Sequence, residues 1–83
     1  MMHVRVIAPD RALFEGDADA VVAPAYDGQV GILPHHAPFM TLLGRGTLVV
    51  TQGGSATRLS VSGGFLQVAE NVVRVVTEEA QNP

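Results

Sequence analysis

DGQVGILPHHAPFMTLL, residues Asp27–Leu43, combines more backbone constraints than any other stretch of this sequence. It starts with an Asp-Gly dipeptide, which is typical of tight hairpin turns. Its two prolines, Pro34 and Pro38, fix their own φ angles and favour extended conformations at the residues before them. It ends in the apolar run FMTLL. We therefore predict a hairpin followed by a rigid, partly exposed loop that leads into another strand, and such loops are common places for function.

The rest of the chain is rich in residues that favour β-strands. It contains thirteen Val, two Ile and five Thr, interrupted by nine Gly and five Pro. β-branched side chains suit pleated strands, whereas glycine and proline interrupt helices. Turn signals recur at roughly eight- to twelve-residue intervals, which is typical of sandwiches and barrels. We predict an all-β fold, a two-sheet β-sandwich of about ten short strands, in one domain over residues 1–83.

Three further turns are predicted in the second half of the chain. Gly53-Gly54 accepts the positive φ angles of a two-residue hairpin turn. Glu70-Asn71 separates two Val-rich runs and is predicted to form a similar turn. Ser62-Gly63-Gly64 is predicted to turn the chain between two separate strands, and the polar segment 78–83 to be a frayed tail.

Two of the predicted strands are apolar on both faces. In residues 47–51, Leu48 and Val50 face one side and Val49 faces the other, and residues 72–76 also carry valines on both faces. A small sandwich needs only one apolar face per strand. The extra valines indicate either a surface covered by a partner or the scattered surface valines that are common in proteins. The sequence leaves both interpretations open.

Charge and composition argue against several classes of function. The chain has five Arg, no Lys and eight acidic residues, with a net charge of −3, and the arginines are dispersed. Nucleic-acid binding normally needs a clustered positive patch, and a P-loop needs a lysine, so neither is expected. The absence of cysteine removes thiolate metal sites. Neither a membrane-spanning run nor a signal peptide is recognised, which predicts a soluble intracellular protein.

No pattern of residues predicts catalysis, a bound metal or a cofactor. His35 and His36 are adjacent, so in extended backbone their side chains point to opposite faces and do not chelate one ion. We expect one imidazole to pack or form a hydrogen bond and the other to face solvent or a partner. Ser60 and Ser62 lack the G-x-S-x-G context of a hydrolase nucleophile.

The order of motifs along the chain nevertheless resembles one known family. The stretch GILPHHAP, from Gly31 to Pro38, fits the pattern G-I-x-P-x-H-A-P, and Asp27-Gly28 precedes it. A glycine-containing turn at 44–46 and a later Ser-Gly-Gly at 62–64 follow, and Leu13-Phe14-Glu15-Gly16 fits an earlier turn of the same family. Together these motifs resemble the N-terminal β-sandwich domain of the epsilon subunit of F-type ATP synthases.

This resemblance implies a mechanical role rather than a reaction. A subunit of this kind belongs to the central stalk, where it couples rotation of the membrane c-ring to the gamma subunit during ATP synthesis. The resemblance implies a non-catalytic chain that binds no nucleotide and reaches the membrane, at its cytoplasmic face, only through the complex. The residues implied to contact the c-ring are Tyr26, Asp27, Gln29, Leu33 and His35. Those implied to contact the gamma subunit are His36, Phe39, Met40 and Thr41.

Two departures from the family pattern limit what is carried over. Several relatives have Glu where this chain has Gln29, so a charged contact with the c-ring is expected to be missing or to move to Asp27. The 83 residues also contain no counterpart of the family's C-terminal helical hairpin, so inhibition of ATP hydrolysis and ATP binding are not expected of them. The rival hypotheses are a free-standing β-sandwich that binds a peptide or small ligand, and a small hydrolase.

Overall fold

A computed structural model describes residues 1–81, and its regular secondary structure consists of eight β-strands. In chain order these are β1 (Met2–Ala8), β2 (Arg11–Ala18), β3 (Ala20–Ala25), β4 (Gly28–Ile32), β5 (Phe39–Leu42), β6 (Arg45–Gln52), β7 (Ser55–Ala69) and β8 (Val72–Gln81). The predicted all-β sandwich is confirmed, with eight strands in place of about ten. None of the described residues forms a helix long and apolar enough to cross a membrane.

The strands are connected in one continuous hydrogen-bonded sheet, in the order β2-β1-β8-β7-β6-β3-β4, with β5 also paired to β7. The neighbours are antiparallel except β1 and β8, which are parallel. The Cα atoms extend 27 × 24 × 21 Å. Seven neighbouring strands about 4.8 Å apart would span roughly 29 Å in a flat sheet, which exceeds every dimension of the molecule, so the sheet must fold over itself into two layers.

The core lies between the two layers and receives side chains from every strand except β5. In β1 the buried residues Met2, Val4 and Val6 alternate with half-exposed ones, as expected for a strand with one face in the core. Leu48 and Val50 in β6 follow the same alternation. The members of this apolar cluster are Met2, Val4, Val6, Ala18, Val21, Ala23, Ile32, Leu43, Leu48, Val50, Leu59, Val61, Leu66, Val68, Val73 and Val75.

Strand β7 is long enough to take part in both layers. Its N-terminal half pairs with β6, from Ser55 to Ser62, and its C-terminal half pairs with β5, from Phe65 to Val68. The predicted turn at Ser62-Gly63-Gly64 is therefore wrong, because β7 continues through these residues. Gly63 and Gly64 have φ angles of 74° and 102°, which bend the strand without ending it.

Gly64 makes the bend possible because it lies directly against β8. A Cβ atom at this position would overlap the carbonyl oxygen of Val76 and lie 2.9 Å from the Cα of Thr77. Thr77 is buried, and its hydroxyl donates a hydrogen bond to the carbonyl of Glu79 at 2.7 Å. The two strands thus approach each other with no space for any side chain at Gly64.

The other predicted turns agree with the structure in part. Gly53 and Gly54 have φ angles of 56° and 86°, and Glu70 and Asn71 of 51° and 63°, so both pairs form the predicted two-residue turns. Between β3 and β4 the turn residues are Tyr26 and Asp27, one position earlier than predicted. The predicted tail is wrong from residue 78 to residue 81, since β8 continues to Gln81, and residues 82–83 lie outside the described part.

We predict that Gly64→Ala lowers the free energy of unfolding by more than about 3 kcal/mol, because the added methyl group forces β7 away from β8. Urea denaturation of the purified chain measures the change. The matched control is Gly54→Ala, which also has a positive φ but has no atom within 4 Å of the added Cβ. The control is expected to cost only about 1 kcal/mol. Equal losses for the two variants would contradict this account of the bend.

Candidate functional site

The hairpin of β3 and β4 is attached to the far end of β5 by backbone hydrogen bonds. The amide of Tyr26 donates to the carbonyl of Leu42 at 3.1 Å, and the amide of Gly44 donates to the carbonyl of Pro24 at 2.8 Å. A Cβ atom at Gly44 would lie 2.8 Å from the carbonyl oxygen of Ala25, so glycine is needed for this close approach. The turn at Tyr26 is therefore held in a fixed position relative to β5.

An open groove lies between β4 and β5. Within residues 1–81, β4 forms a ladder only with β3 and β5 only with β7. Apart from the contact of Ala25 and Tyr26 with the end of β5 at Leu42 and Leu43, each strand therefore has an edge without a ladder partner. The groove has a volume of about 600 Å³ and is lined by Ala25, Tyr26, Asp27, Gln29, Val30, Phe39, Met40, Thr41, Leu42 and Phe65. Free strand edges beside exposed apolar side chains are typical of surfaces that bind another protein.

The register of β5 on β7 determines which β5 side chains face outward. Thr41 lies opposite the buried residue Leu66, and residues directly opposite each other share one face of a sheet. Met40 and Leu42 consequently lie on the outer face, where they are 62% and 61% exposed. Two large apolar side chains are thus presented to solvent on neighbouring positions of the same face.

The loop between β4 and β5 begins with a tight turn at Pro34. The amide of His36 donates to the carbonyl of Leu33 at 3.2 Å, and His35 has a φ of 66°. Proline at the second position and a positive φ at the third define a type II turn. A side chain in this left-handed region costs roughly 1–2 kcal/mol, so the surrounding structure must stabilise His35.

The two adjacent histidines have different surroundings. The Nδ1–H of His36 donates to the carbonyl of Ala37 at 2.7 Å, and its ring contacts Phe39 edge-on with the ring centroids 5.8 Å apart. The side chain of His35 is exposed, whereas its backbone amide donates to the Oδ1 of Asn71 at 2.8 Å. The prediction that one imidazole packs and the other faces outward is confirmed.

The predicted contact residues form two groups in the structure, and these groups do not correspond to the two predicted partners. Tyr26, Asp27 and Gln29 from the predicted c-ring set line the same groove as three residues of the predicted gamma set, namely Phe39, Met40 and Thr41. Leu33, His35 and His36 lie in the loop at the other end of β4. The sequence-based prediction of the site did not include Leu42, although the alternation of Leu42 with Met40 in the apolar run indicated it. It also did not include Asn71, for which the sequence gives no local signal.

A separate group of polar and charged side chains lies at the opposite edge of the sheet. The Nε2 atom of His3 on β1 lies 3.2 Å from Oε2 of Glu15 on β2, and its Nδ1 lies 3.5 Å from Oδ1 of Asp17. The Nε atom of Arg5 lies 3.6 Å from Oε1 of Glu15. These pairs are exposed, so each contributes at most about 1 kcal/mol. No three His, Asp or Glu side chains among the described residues are placed to hold a metal ion. The groove and the adjoining loop therefore remain the best candidate site.

Comparison with known proteins gives matches over nearly the whole chain. The family model of the ATP synthase delta/epsilon chain β-sandwich domain matches residues 1–83. The chain is 43% identical to the ATP synthase epsilon chain of Desulforamulus reducens, 41% to that of Nitratidesulfovibrio vulgaris and 40% to that of Leptospira borgpetersenii. These alignments cover 92%, 96% and 93% of this chain but only 58%, 60% and 61% of the relatives.

Two solved structures contain a similar fold. A chain of the mitochondrial ATP synthase of Euglena gracilis, in a structure of OSCP, F1 and the c-ring, matches with a TM-score of 0.88 and 28% identity, over 95% of this chain and 51% of that one. A chain from the central stalk and c-ring of the Tetrahymena thermophila enzyme matches with a TM-score of 0.83 and 15% identity, over 98% of this chain and 66% of that one. The second match supports the fold alone.

We predict that His35→Gly leaves the free energy of unfolding unchanged or raises it by up to about 1 kcal/mol, since glycine removes the cost of the left-handed conformation. The matched change His36→Gly is expected to lower it by about 1 kcal/mol, because it removes the contact with Phe39 and adds backbone freedom. Urea denaturation of both variants measures the difference. Similar losses at the two positions would be inconsistent with a strained His35.

Proposed function

This chain belongs to the family of the ATP synthase delta/epsilon chain β-sandwich domain, and on that basis we propose that it is a central-stalk subunit of the F1 part of a proton-transporting ATP synthase. Its role is to couple rotation of the c-ring to the gamma subunit during ATP synthesis. The observation that carries the proposal is the family match over residues 1–83, together with 40–43% identity to chains named ATP synthase epsilon chain.

The gamma subunit is the proposed partner of β5 and the end of the preceding loop. His36, Phe39, Met40 and Thr41 form this proposed contact. Met40 supports it most strongly, because it is a large apolar side chain on the outer face and is 62% exposed. The free edge of β5 lies beside it and can accept backbone hydrogen bonds from a partner. A partner that covers this surface would remove an exposed apolar patch from water.

The polar loops of the c-ring are the proposed partner of the two ends of β4. Tyr26, Asp27 and Gln29 lie at or next to the β3–β4 turn, whereas Leu33 and His35 lie in the loop beyond Ile32. Five strand residues separate the two ends, which corresponds to roughly 16 Å. A contact that includes both ends must therefore be broad, which suits a ring of repeated loops. Asp27 supplies the carboxylate in this group, since residue 29 is glutamine.

Force transmission requires that both contact sets move as one body. The Tyr26–Leu42 and Gly44–Pro24 backbone hydrogen bonds join the β3–β4 turn to β5, and the prolines limit bending of the loop. A displacement at Tyr26 or Leu33 is thus passed to β5 without large internal motion. In this role the chain is a non-catalytic subunit that needs no cofactor and no nucleotide. It contacts the membrane's cytoplasmic face only through the complex.

We predict that Met40→Glu weakens binding to the gamma subunit from the same source at least about tenfold, because a charge would be buried in an apolar contact. Gel filtration and titration at micromolar concentrations measure the affinity, and the unmodified chain is expected to form a one-to-one complex. Val22→Glu is the matched control. It introduces the same charge at another outward-facing apolar strand residue, away from the groove lining.

Val22→Glu is expected to retain the unmodified affinity for gamma. Leu33→Glu is expected to retain it as well, but to lower ATP-driven proton pumping when assembled into membrane vesicles. Failure of the unmodified chain to bind gamma would argue for a free-standing binding module instead. Equal weakening by Met40→Glu and Val22→Glu would show that the surface at β5 is not the contact.

A further inference from the structure

The side chain of Asn71 connects three segments that are far apart in the sequence. Its Oδ1 accepts a hydrogen bond from the backbone amide of His35, and its Nδ2 donates to the carbonyl of Met1, each at 2.8 Å. The backbone carbonyl of Asn71 also accepts from the amide of His3 at 3.1 Å. One residue in the β7–β8 turn thus binds both the loop at Pro34 and the N-terminal strand.

Asparagine is well suited to this position for two reasons. Its φ of 63° lies in the left-handed region, which asparagine tolerates better than most residues. Its amide supplies one acceptor and two donor hydrogens. Because a backbone amide can only donate and a carbonyl can only accept, the partners His35 and Met1 fix which end of the Asn71 amide faces each of them.

The hydrogen bond from His35 acts on the one peptide group that distinguishes turn types. A type II turn differs from a type I turn mainly by a flip of its central peptide. In the turn at Pro34 this is the peptide between Pro34 and His35, and its N–H is the group that Asn71 binds. Asn71 therefore stabilises the orientation that requires a positive φ at His35.

We propose that Asn71 is a positioning residue for the loop formed by residues 33–38. It fixes the turn at Pro34, and so determines how Leu33 and His35 are presented to a partner. It also connects the loop to β1 and β8, so that a force on the loop reaches these two interior strands of the sheet directly. This inference rests on the proposed function of the loop as a contact within the ATP synthase.

Three variants of the chain separate the side-chain bonds from the turn itself. Asn71→Gly keeps a residue suited to the positive φ but removes both side-chain bonds. Asn71→Asp keeps an acceptor for His35 and removes the donor to Met1. Glu70→Gly is the matched control, since Glu70 occupies the other left-handed position of the same turn. Amide hydrogen exchange at His35 is read by NMR, and assembled variants are assayed for ATP-driven proton pumping.

We expect Asn71→Gly to speed exchange of the His35 amide about fivefold or more, which corresponds to loss of one hydrogen bond, and to lower proton pumping. Asn71→Asp is expected to retain slow exchange and most of the pumping, and Glu70→Gly to match the unmodified chain in both. Unchanged exchange in Asn71→Gly, or faster exchange with unchanged pumping, would overturn the inference. If the unmodified chain does not assemble at all, the proposed function fails, while the exchange data still decide whether Asn71 holds the loop.

Discussion

The close approach of β7 to β8 at Gly64 is the constraint on which the rest of the structure depends. A Cβ atom at position 64 would overlap the carbonyl oxygen of Val76. Because glycine has no Cβ, the two strands can bend together here and continue as one pair. This bend allows β7 to pair with β6 in one half and with β5 in the other. The sheet can then fold over a single core without being broken into two separate sheets.

The candidate site follows from this arrangement of β7. Strand β5 lies on its C-terminal half, while β4 is reached through β6 and β3. The two strands therefore come to flank the groove with their free edges, although only six residues separate them in the sequence. Those six residues connect two strands that do not pair with each other, and they form a short loop with two prolines, a type II turn and a hydrogen bond to Asn71. These features limit bending of the loop, as its proposed role as a contact in the central stalk requires.

Local patterns in the sequence predict the features that depend on local physics. The alternation of apolar and polar residues around Val4 and the turn at Gly53-Gly54 can both be predicted from the sequence. Side-chain direction in a strand and tolerance of a positive φ depend on the individual residues. The continuation of β7 through Gly63-Gly64 cannot be predicted from the sequence, because this dipeptide suits both a turn and a bent strand. The close contact with Val76 decides between the two. The contact between His35 and Asn71 joins residues 36 positions apart, and neither residue signals it locally. The motif GILPHHAP predicted the rigid loop next to the candidate groove. That the groove is lined by residues from both predicted contact sets depends on the packing of β4 beside β5.

Hydrogen exchange of this chain inside the assembled ATP synthase, compared with the isolated chain, tests the central claim most directly. Amides at the free edges of β4 and β5 are expected to exchange quickly in the isolated chain, because they have no ladder partner. In the assembled complex we expect slower exchange at the amides within residues 26–30 and 33–42 that have no hydrogen-bond partner in the isolated chain, and no change at the turn formed by Gly53 and Gly54. Absence of the chain from the complex, or slowing confined to the Gly53-Gly54 end, would contradict the assignment of this surface to the central stalk.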